Sequence, residues 1–199
     1  KGNTRLLGTL AELVDGGMPV SVFTGNHDLW MFGYLEEEIG VAVHRNQPIR
    51  AIHQGKTFLI GHGDGLGPHD RGYKFLKKVF TNPVAQWSFA RIHPNLGIRM
   101  AQFWSGKSRK ANVQMEAFNG LEREWLFEYA CGYQKLDPVD YYVFGHRHLP
   151  IDTVIPGGQA RYINLGDWLH HNSYGVFDGK ELRLEFFEMD RRTVYPENS

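Results

Sequence analysis

Apolar residues recur every three or four positions in some stretches of the chain and form short continuous or alternating runs in others. The first spacing predicts helices and the second predicts strands. Helices are predicted at residues 4–14, 29–39 and 114–133, with Asn3 or Thr4 capping the first. Strands are predicted at residues 19–24, 41–43, 49–53, 57–60, 141–144, 151–155, 160–164, 174–177 and 182–187. The run at 19–24 has the pattern of a buried parallel strand. The mixture predicts an α/β fold.

One segment differs from the rest in charge. Residues 70–110 carry nine Lys or Arg and one acid, a net charge of +8, whereas the remaining residues carry −8 and the whole chain is neutral. The segment is expected to form two or three short helices broken at Pro83 and Pro94. Its aromatic residues are Tyr73, Phe75, Phe80, Trp87, Phe89, Phe103 and Trp104. A basic, aromatic, amphipathic segment predicts a surface for an anionic partner with apolar parts.

Length and composition limit the class of protein. The 199 residues allow one domain, or one domain with a sizeable insertion, and 42% apolar with 22% charged residues excludes a disordered or fibrous chain. Cys131 is the single cysteine, which excludes a disulfide within the chain and favours a reducing compartment. No run approaches the ~18 apolar residues of a membrane span, and residues 1–4 do not read as a signal peptide.

Three strand-like runs end in the same kind of loop. The loops are Gly25-Asn26-His27-Asp28, Gly61-His62-Gly63-Asp64 and Gly145-His146-Arg147-His148. In an open α/β sheet, ligands bind where strands end at their carboxyl edge, so the three loops are expected to converge. Imidazole nitrogens with amide or carboxylate oxygens are ligands for Mn, Fe or Zn.

This series resembles the calcineurin-like metallophosphoesterases, and within them most closely the family that cleaves the diphosphate of UDP-2,3-diacylglucosamine in lipid A biosynthesis. The closer resemblance rests on His62-Gly63-Asp64, Gly72-Tyr73, Lys77-Lys78-Val79, Lys107-Ser108 and Ala111-Asn112, and it covers nearly the whole chain. It implies an α/β fold with a β-sandwich flanked by helices. The metallophosphoesterase core would comprise residues 1–68 and 111–199, and residues 69–110 would form a helical lid.

The resemblance also implies roles for individual residues. Asn26, His62 and His146 match ligands of one metal ion, and His148 matches a ligand of another; both ions are expected to be Mn²⁺. His27 matches a catalytic cation or proton donor, with Asp28 available to orient it. Residues expected to contact the substrate are Tyr73, Lys77, Trp87, Trp104, Ser108 and Asn112.

One part of the family pattern is missing from this sequence. The family begins with Asp-x-His on its first strand and has Gly-Asp-x-x-Asp after its second, and neither motif is present. The N-terminal strands that carry them are therefore expected to be missing, and the metal pair to be incomplete. For the chain as written we expect weak metal binding, negligible turnover, and self-association through open sheet edges.

The implied reaction needs no Ser or Cys nucleophile. Two ions about 3.5–4 Å apart would bridge a hydroxide and hold the phosphoryl oxygens, giving UMP and 2,3-diacylglucosamine 1-phosphate. Because each acyl CH₂ costs about 0.8 kcal/mol in water, the lid is expected to offer an apolar slot. Its candidate lining is Val84, Trp87, Ile92, Leu96, Met100, Phe103 and Trp104. The bases would match the diphosphate or anionic lipid, which predicts a peripheral enzyme on the cytoplasmic face of the inner membrane.

Ordinary structural roles remain the preferred interpretation for several residues. A surface or supporting role is expected for His44, His53, His69, His93, His170 and His171. Asp64 is expected to fix its loop through backbone hydrogen bonds rather than to bind metal, and about half of the lid aromatics are expected to pack on the body.

Other functions remain open at this point. A general metallophosphodiesterase or phosphatase acting on a soluble phosphoester would use the same loops but would need no apolar lid. A non-catalytic homologue would lack the two missing motifs in its natural sequence. Nucleic-acid binding is disfavoured, because the Trp and Phe residues alternate with aliphatic residues at helical spacing instead of forming a stacking platform.

Overall fold

The computed structural model describes residues 3–45, 48–67, 71–100, 102–103, 117–187 and 192–196. The chain forms two compact units, Lys1–Gln47 and Pro48–Ser199. Helices and strands alternate through both units, so the predicted α/β class is confirmed. Within the described ranges, no helix is both long enough and apolar enough to cross a bilayer.

The first unit is a short βαβ arrangement preceded by a helix. Its elements are α1 (Thr4–Asp15), β1 (Ser21–Phe23), α2 (Tyr34–Ile39) and β2 (Ala42–His44). β1 and β2 are parallel, with Val22 opposite Val43. The predicted parallel strand is therefore confirmed, but its predicted burial is wrong, because β1 is exposed or half-buried along its length.

One local prediction for the first unit is wrong, and another, the N-cap of α1, is correct only in its position. The helix predicted at 29–39 begins only at Tyr34. Met31 lies in the segment that was expected to be helical. Its carbonyl accepts hydrogen bonds from the guanidinium of Arg45, a residue distant in sequence, at 2.6 and 3.1 Å. Asn3 precedes α1 but makes no capping hydrogen bond with its side chain.

The second unit is built on a five-stranded mixed sheet with the order β3-β4-β5-β7-β6. Its strands are β3 (Ile49–His53), β4 (Lys56–Gly61), β5 (Tyr141–Phe144), β6 (Pro150–Val154) and β7 (Arg161–Leu165). The three central strands β4, β5 and β7 are parallel, and the outer two are antiparallel to their neighbours. Because β4, β5 and β7 run in one direction, the loops that follow them leave the same edge of the sheet.

Each face of this sheet is covered by a different element. The helix α6 (Trp125–Leu136) buries Leu126 and Ala130 against one face. The hairpin of β8 (Ser173–Phe177) and β9 (Leu182–Phe186) covers the other, with Leu182 in the core on that side. Cys131 lies within α6, where burial raises the pKa of its thiol.

The long helix predicted at 114–133 is only partly correct. Residues 114–116 lie outside the described ranges, Leu121–Arg123 form a single 3₁₀ turn, and the α-helix starts at Trp125. Phe118 and Leu121 still pack on the core that α6 covers. The apolar spacing therefore reported burial correctly, but it extended the helix across a break between the two helical segments.

The basic segment contains the short helices that the sequence predicts. They are α3 (Arg71–Phe80), α4 (Pro83–Phe89) and α5, for residues 94–100. Asn82 begins α4 by accepting hydrogen bonds from the backbone N–H groups of Val84 and Ala85 at 2.9 and 3.2 Å. Pro83 occupies the first turn, where its missing N–H costs nothing.

Candidate active site

Two of the three predicted loops meet at the carboxyl edge of the sheet. β4 and β5 are adjacent and end in register, with Gly61 opposite Phe144. The loops that follow bring His62 and His146 together, with ring centroids 5.2 Å apart and ring planes at 71°. The predicted convergence is therefore confirmed for these two loops.

The backbone of both loops is shaped to bring the imidazoles together. Gly63 has φ +108°, and a Cβ atom there would lie 2.9 Å from Cδ1 of Leu126 and 3.5 Å from Cβ of His146. His146 and His148 both adopt positive φ, at 67° and 55°. Since non-glycine residues rarely occupy that region, the surrounding contacts must hold the loop in place. One of these contacts is the hydrogen bond from the N–H of Gly145 to the carbonyl of His62, at 3.0 Å.

The chemistry of His146 follows from its burial. Burial first, and then the neighbouring His62, lower the pKa of His146 to about 4. The imidazole is therefore neutral at physiological pH, which is the form that binds metal ions.

A buried ion pair holds the residue between the two histidines of the second loop. Arg147 and Glu124 are only 6% and 2% exposed. Nε and Nη2 of Arg147 donate to the two carboxylate oxygens of Glu124 at 2.7 and 2.6 Å. The guanidinium also lies 4.7 Å from the ring centre of Trp125, which packs edge-on against His146. The start of α6 therefore holds the loop that carries the histidines.

Asp64 connects the other loop to the basic helices. It is 4% exposed, and its Oδ2 accepts hydrogen bonds from the hydroxyl of Tyr73 at 2.6 Å and from Nζ of Lys77 at 2.7 Å. Burial favours a higher pKa, but the hydrogen bonds from Lys77 and Tyr73 lower the pKa of Asp64 below its usual value. Asp64 is thus bonded to two side chains of α3, whereas hydrogen bonds to backbone groups of its own loop were expected.

A third strand end at the same edge brings in Asp167, which the sequence analysis did not assign to the site. Oδ2 of Asp167 lies 3.4 Å from Nδ1 of His148 and 3.2 Å from Nδ1 of His170. Burial favours a higher pKa, but hydrogen bonds led by the backbone N–H groups of His170 and His171 lower the pKa of Asp167 to about 2. The carboxylate is therefore ionised at neutral pH.

The first predicted loop belongs to the first unit. Asn26 is half-buried, whereas His27 and Asp28 are exposed. Oδ1 of Asp28 accepts a hydrogen bond from the N–H of Gly25, and the N–H of Asp28 donates to the carbonyl of Gly25 at 3.3 Å. Asp28 thus closes its own turn, and its predicted role in orienting His27 stays a prediction, as do the roles of Asn26 and His27.

Three of the six predicted substrate contacts lie on the described basic helices. Tyr73 and Lys77 lie on α3 as described, and Trp87 lies on α4, with the guanidinium carbon of Arg91 3.4 Å from its ring centre. Trp104, Ser108 and Asn112 lie outside the described residues. Among the described aromatics of this segment, Phe75, Trp87 and Phe103 are exposed and Tyr73, Phe80 and Phe89 are half-buried.

The histidine pair fits part of a metal site. His62 and His146 offer two close imidazoles, and Oδ1 of the buried Asp64 has no hydrogen-bond partner. In the part of the chain that the structure describes, no three His, Cys, Asp or Glu side chains are grouped so that they could hold an ion together. The two histidines therefore fit as two ligands of a metal ion, but the described residues around them do not complete its ligand set.

Known proteins resemble this chain along most of its length. It is 37% identical over 201 residues to UDP-2,3-diacylglucosamine hydrolase of Porphyromonas gingivalis, covering 94% of this chain and 76% of that relative. The chain belongs to the UDP-2,3-diacylglucosamine hydrolase family. Proteins of the same name from Edwardsiella ictaluri and Azotobacter vinelandii are 26% and 27% identical, over 90% and 91% of this chain and 69% and 74% of those proteins.

The family assignment confirms that the chain is a hydrolase, as the sequence analysis predicted. No family model matches the chain. The site of this hydrolase includes three residues that the sequence analysis missed: Glu124, Arg147 and Asp167. A signal was present for Asp167, which follows a strand and a glycine as the predicted site residues do. Glu124 carries no such signal, and although Arg147 lies in a predicted loop, only the folded chain shows that the two are buried together.

Proposed function

We propose that this chain hydrolyses the diphosphate of UDP-2,3-diacylglucosamine to UMP and 2,3-diacylglucosamine 1-phosphate, a step of lipid A biosynthesis, with divalent metal ions as cofactors. Water attacks one phosphorus of the P–O–P linkage, and the bond from that phosphorus to the bridging oxygen breaks. One product therefore carries the oxygen of the water, and the other keeps the bridging oxygen. The proposal follows the names of the relatives. The observation that carries it is the pair of His62 and His146 imidazoles, 5.2 Å apart at the carboxyl edge of the sheet.

His62 and His146 would hold a metal ion, and His148 would be a ligand of a second ion. Mn²⁺ is the first candidate. When bound, such ions lower the pKa of a coordinated water and offset phosphoryl charge. The low pKa of His146 keeps its imidazole available for this purpose above about pH 4.

The basic helices would bind the rest of the substrate. Their exposed apolar side chains are Phe75, Leu76, Val79, Val84, Trp87, Leu96, Ile98 and Phe103. Exposed apolar groups of this kind can accept acyl chains, while the surrounding bases attract the diphosphate or an anionic membrane surface. A peripheral position on the cytoplasmic face of the inner membrane is part of this proposal.

The test is a comparison of three substrates on the full-length natural protein: the acylated UDP-sugar, its deacylated counterpart and bis(p-nitrophenyl) phosphate. We expect hydrolysis of the acylated substrate that is lost in chelator and restored by Mn²⁺. Joint replacement of Trp87 and Trp104 by Ala should raise the KM for the acylated substrate about tenfold or more, because a loss of about 1.4 kcal/mol of apolar contact with the acyl chains already corresponds to a factor of ten. The KM for bis(p-nitrophenyl) phosphate should not change.

The matched control is Ile52→Ala with Leu136→Ala, which removes exposed apolar side chains outside the basic helices. It should leave all three substrates unaffected. Efficient hydrolysis of the soluble diester alone would favour a general phosphodiesterase, and no hydrolysis of any substrate would favour a non-catalytic homologue. An equal loss on all substrates in the Trp variants would mean that these aromatic residues only hold the fold.

A further inference from the structure

The chain turns sharply after β7 and delivers an acidic side chain to the edge where the histidines lie. Gly166 has φ +76°, and a Cβ atom there would collide with Oγ of Ser173 and lie 2.9 Å from Cγ of Pro150. Asn164, at the end of β7, donates from Nδ2 to the carbonyl of Gly145. The turn is therefore tied to the loop that carries His146 and His148, and the position of Asp167 is fixed by the fold.

The two carboxylate oxygens of Asp167 have different partners. Oδ1 accepts hydrogen bonds from the backbone N–H groups of Leu169, His170 and His171 at 2.9, 2.6 and 3.1 Å. Oδ2 faces the Nδ1 atoms of His170 and His148, at 3.2 and 3.4 Å. One oxygen therefore builds the turn, and the other faces two imidazoles.

The imidazole rings of His148 and His170 face Asp167 with Nδ1 and are otherwise largely exposed to solvent. The side chain of Asp167 is 8% exposed, whereas those of His148 and His170 are 48% and 74% exposed. An ionised carboxylate can only accept hydrogen bonds, so a neutral imidazole nitrogen that faces it carries the proton. The carboxylate therefore favours the proton on Nδ1 in both rings, through a hydrogen bond for His170 and through its charge for His148, and the lone pair is left on Nε2.

We propose that Asp167 is a positioning residue: its Oδ2 favours the Nδ1–H tautomer of both His148 and His170, so that each ring keeps its lone pair on Nε2. The assignment of a metal to His148 rests on the proposed function, but the tautomer does not. Carboxylates behind metal-bound histidines commonly fix the tautomer and the ring orientation in this way. His170, for which a surface or supporting role was expected, then shares the carboxylate of Asp167 with His148.

Replacement of Asp167 by Asn separates the two roles of the carboxylate. The amide oxygen can still accept from the three backbone N–H groups, which disfavours the flipped orientation because it would aim the NH₂ group at three donors. The NH₂ group then faces the imidazoles and requires an acceptor at Nδ1. Asp167→Asn should therefore move the proton of His148 and His170 from Nδ1 to Nε2 while keeping the turn.

The matched control is Asp178→Asn. Oδ1 of Asp178 accepts from the backbone N–H groups of Lys180 and Glu181, both at 2.9 Å, in the hairpin between β8 and β9. Asp178 thus has the same turn-building role, and its Oδ2 pairs with Arg183 at 3.0 Å where Asp167 faces two histidines. Its variant measures what the loss of a turn carboxylate costs by itself.

The readout is the ¹⁵N chemical shift of the imidazole nitrogens, measured on the full-length protein in chelator at pH 8. We expect Nδ1–H for His148 and His170 in the wild type and in Asp178→Asn, and Nε2–H in Asp167→Asn. The wild-type spectrum needs no variant to fold, and Nε2–H at His148 there would overturn the proposal. Unchanged shifts in a folded Asp167→Asn protein would overturn it as well.

Metal titration separates this proposal from the proposed function. Asp167→Asn should weaken Mn²⁺ binding about 10–100-fold and lower kcat with little change in KM, whereas Asp178→Asn should do neither. If the wild type showed the expected tautomers but bound no Mn²⁺, the positioning role would stand and the metal assignment would fail. Equal Mn²⁺ affinity in wild type and Asp167→Asn would reduce Asp167 to a turn residue.

Discussion

The loops at the sheet edge and the basic helices differ in how their side chains are held. In the loops, Asp64 and Arg147 are buried, the side chain of Asp167 is 8% exposed, and all three contact specific polar partners. Along α3, α4 and α5, large apolar side chains such as Phe75 and Trp87 are exposed. The contrast suggests a division of work, because groups that do chemistry need fixed positions whereas a surface that binds acyl chains needs area and adaptability.

The largest expected effect tests whether the loops depend on buried charge. Arg147→Met leaves Glu124 ionised and unpaired in the core, which should lower the free energy of unfolding by about 3–5 kcal/mol. The double variant Glu124→Leu with Arg147→Met removes both charges and should recover most of that loss. Urea denaturation of the two singles and the double measures the coupling.

A control for this cycle is Arg91→Met in the basic helices. Arg91 is exposed and stacks on Trp87, so its loss should change stability by less than about 1 kcal/mol. If Arg147→Met proved as mild as Arg91→Met, the loops would not be more tightly held than the helices.

The next effect concerns pH. The pKa of His146 is about 4 in the folded chain and about 6.5 when unfolded. Between these values the unfolded state binds more protons, so the stability that His146 contributes is complete above about pH 6.5 and is lost as pH falls toward 4. From pH 7 to pH 5 the loss should be on the order of 2 kcal/mol.

Urea denaturation in chelator at the two pH values, with His146→Asn for comparison, measures this loss. The variant should lose less stability than the wild type between pH 7 and pH 5. His93→Asn, at an exposed position between α4 and α5, should keep the wild-type difference. Equal losses in wild type and His146→Asn would contradict the burial argument.

The smallest effect tests the connection between the two regions. Tyr73→Phe removes one donor to Oδ2 of Asp64 and leaves the Lys77 contact in place, which should cost about 1 kcal/mol. The substitution should increase the rate of amide exchange more in α3 than in β4. Tyr133→Phe, whose hydroxyl donates to the exposed Asp137 at 3.1 Å, should have a smaller effect on stability and none on α3.

The sequence predicted the parts of this site that depend on local pattern. The runs ending at Gly61 and Phe144 are apolar and β-rich, so β4, β5 and the His62–His146 pair could be anticipated from the strand-end rule. The bounds of 29–39 and 114–133 could not, because the contacts of Arg45 and the break before Trp125 depend on tertiary structure. Glu124 and Arg147 look like surface residues in sequence, and only their pairing makes them tolerable inside.

The register between β4 and β5 has a consequence for how this site could be lost. Gly61 lies opposite Phe144, and His62 and His146 follow this pair by one and two residues. The position of each imidazole therefore depends on the number of residues between it and the end of its strand. Side chains in a strand alternate between the two faces of the sheet, so one residue inserted or deleted just before either loop would send its histidine to the opposite side. The insertion or deletion of one residue could therefore abolish the site although every residue of the site was still encoded.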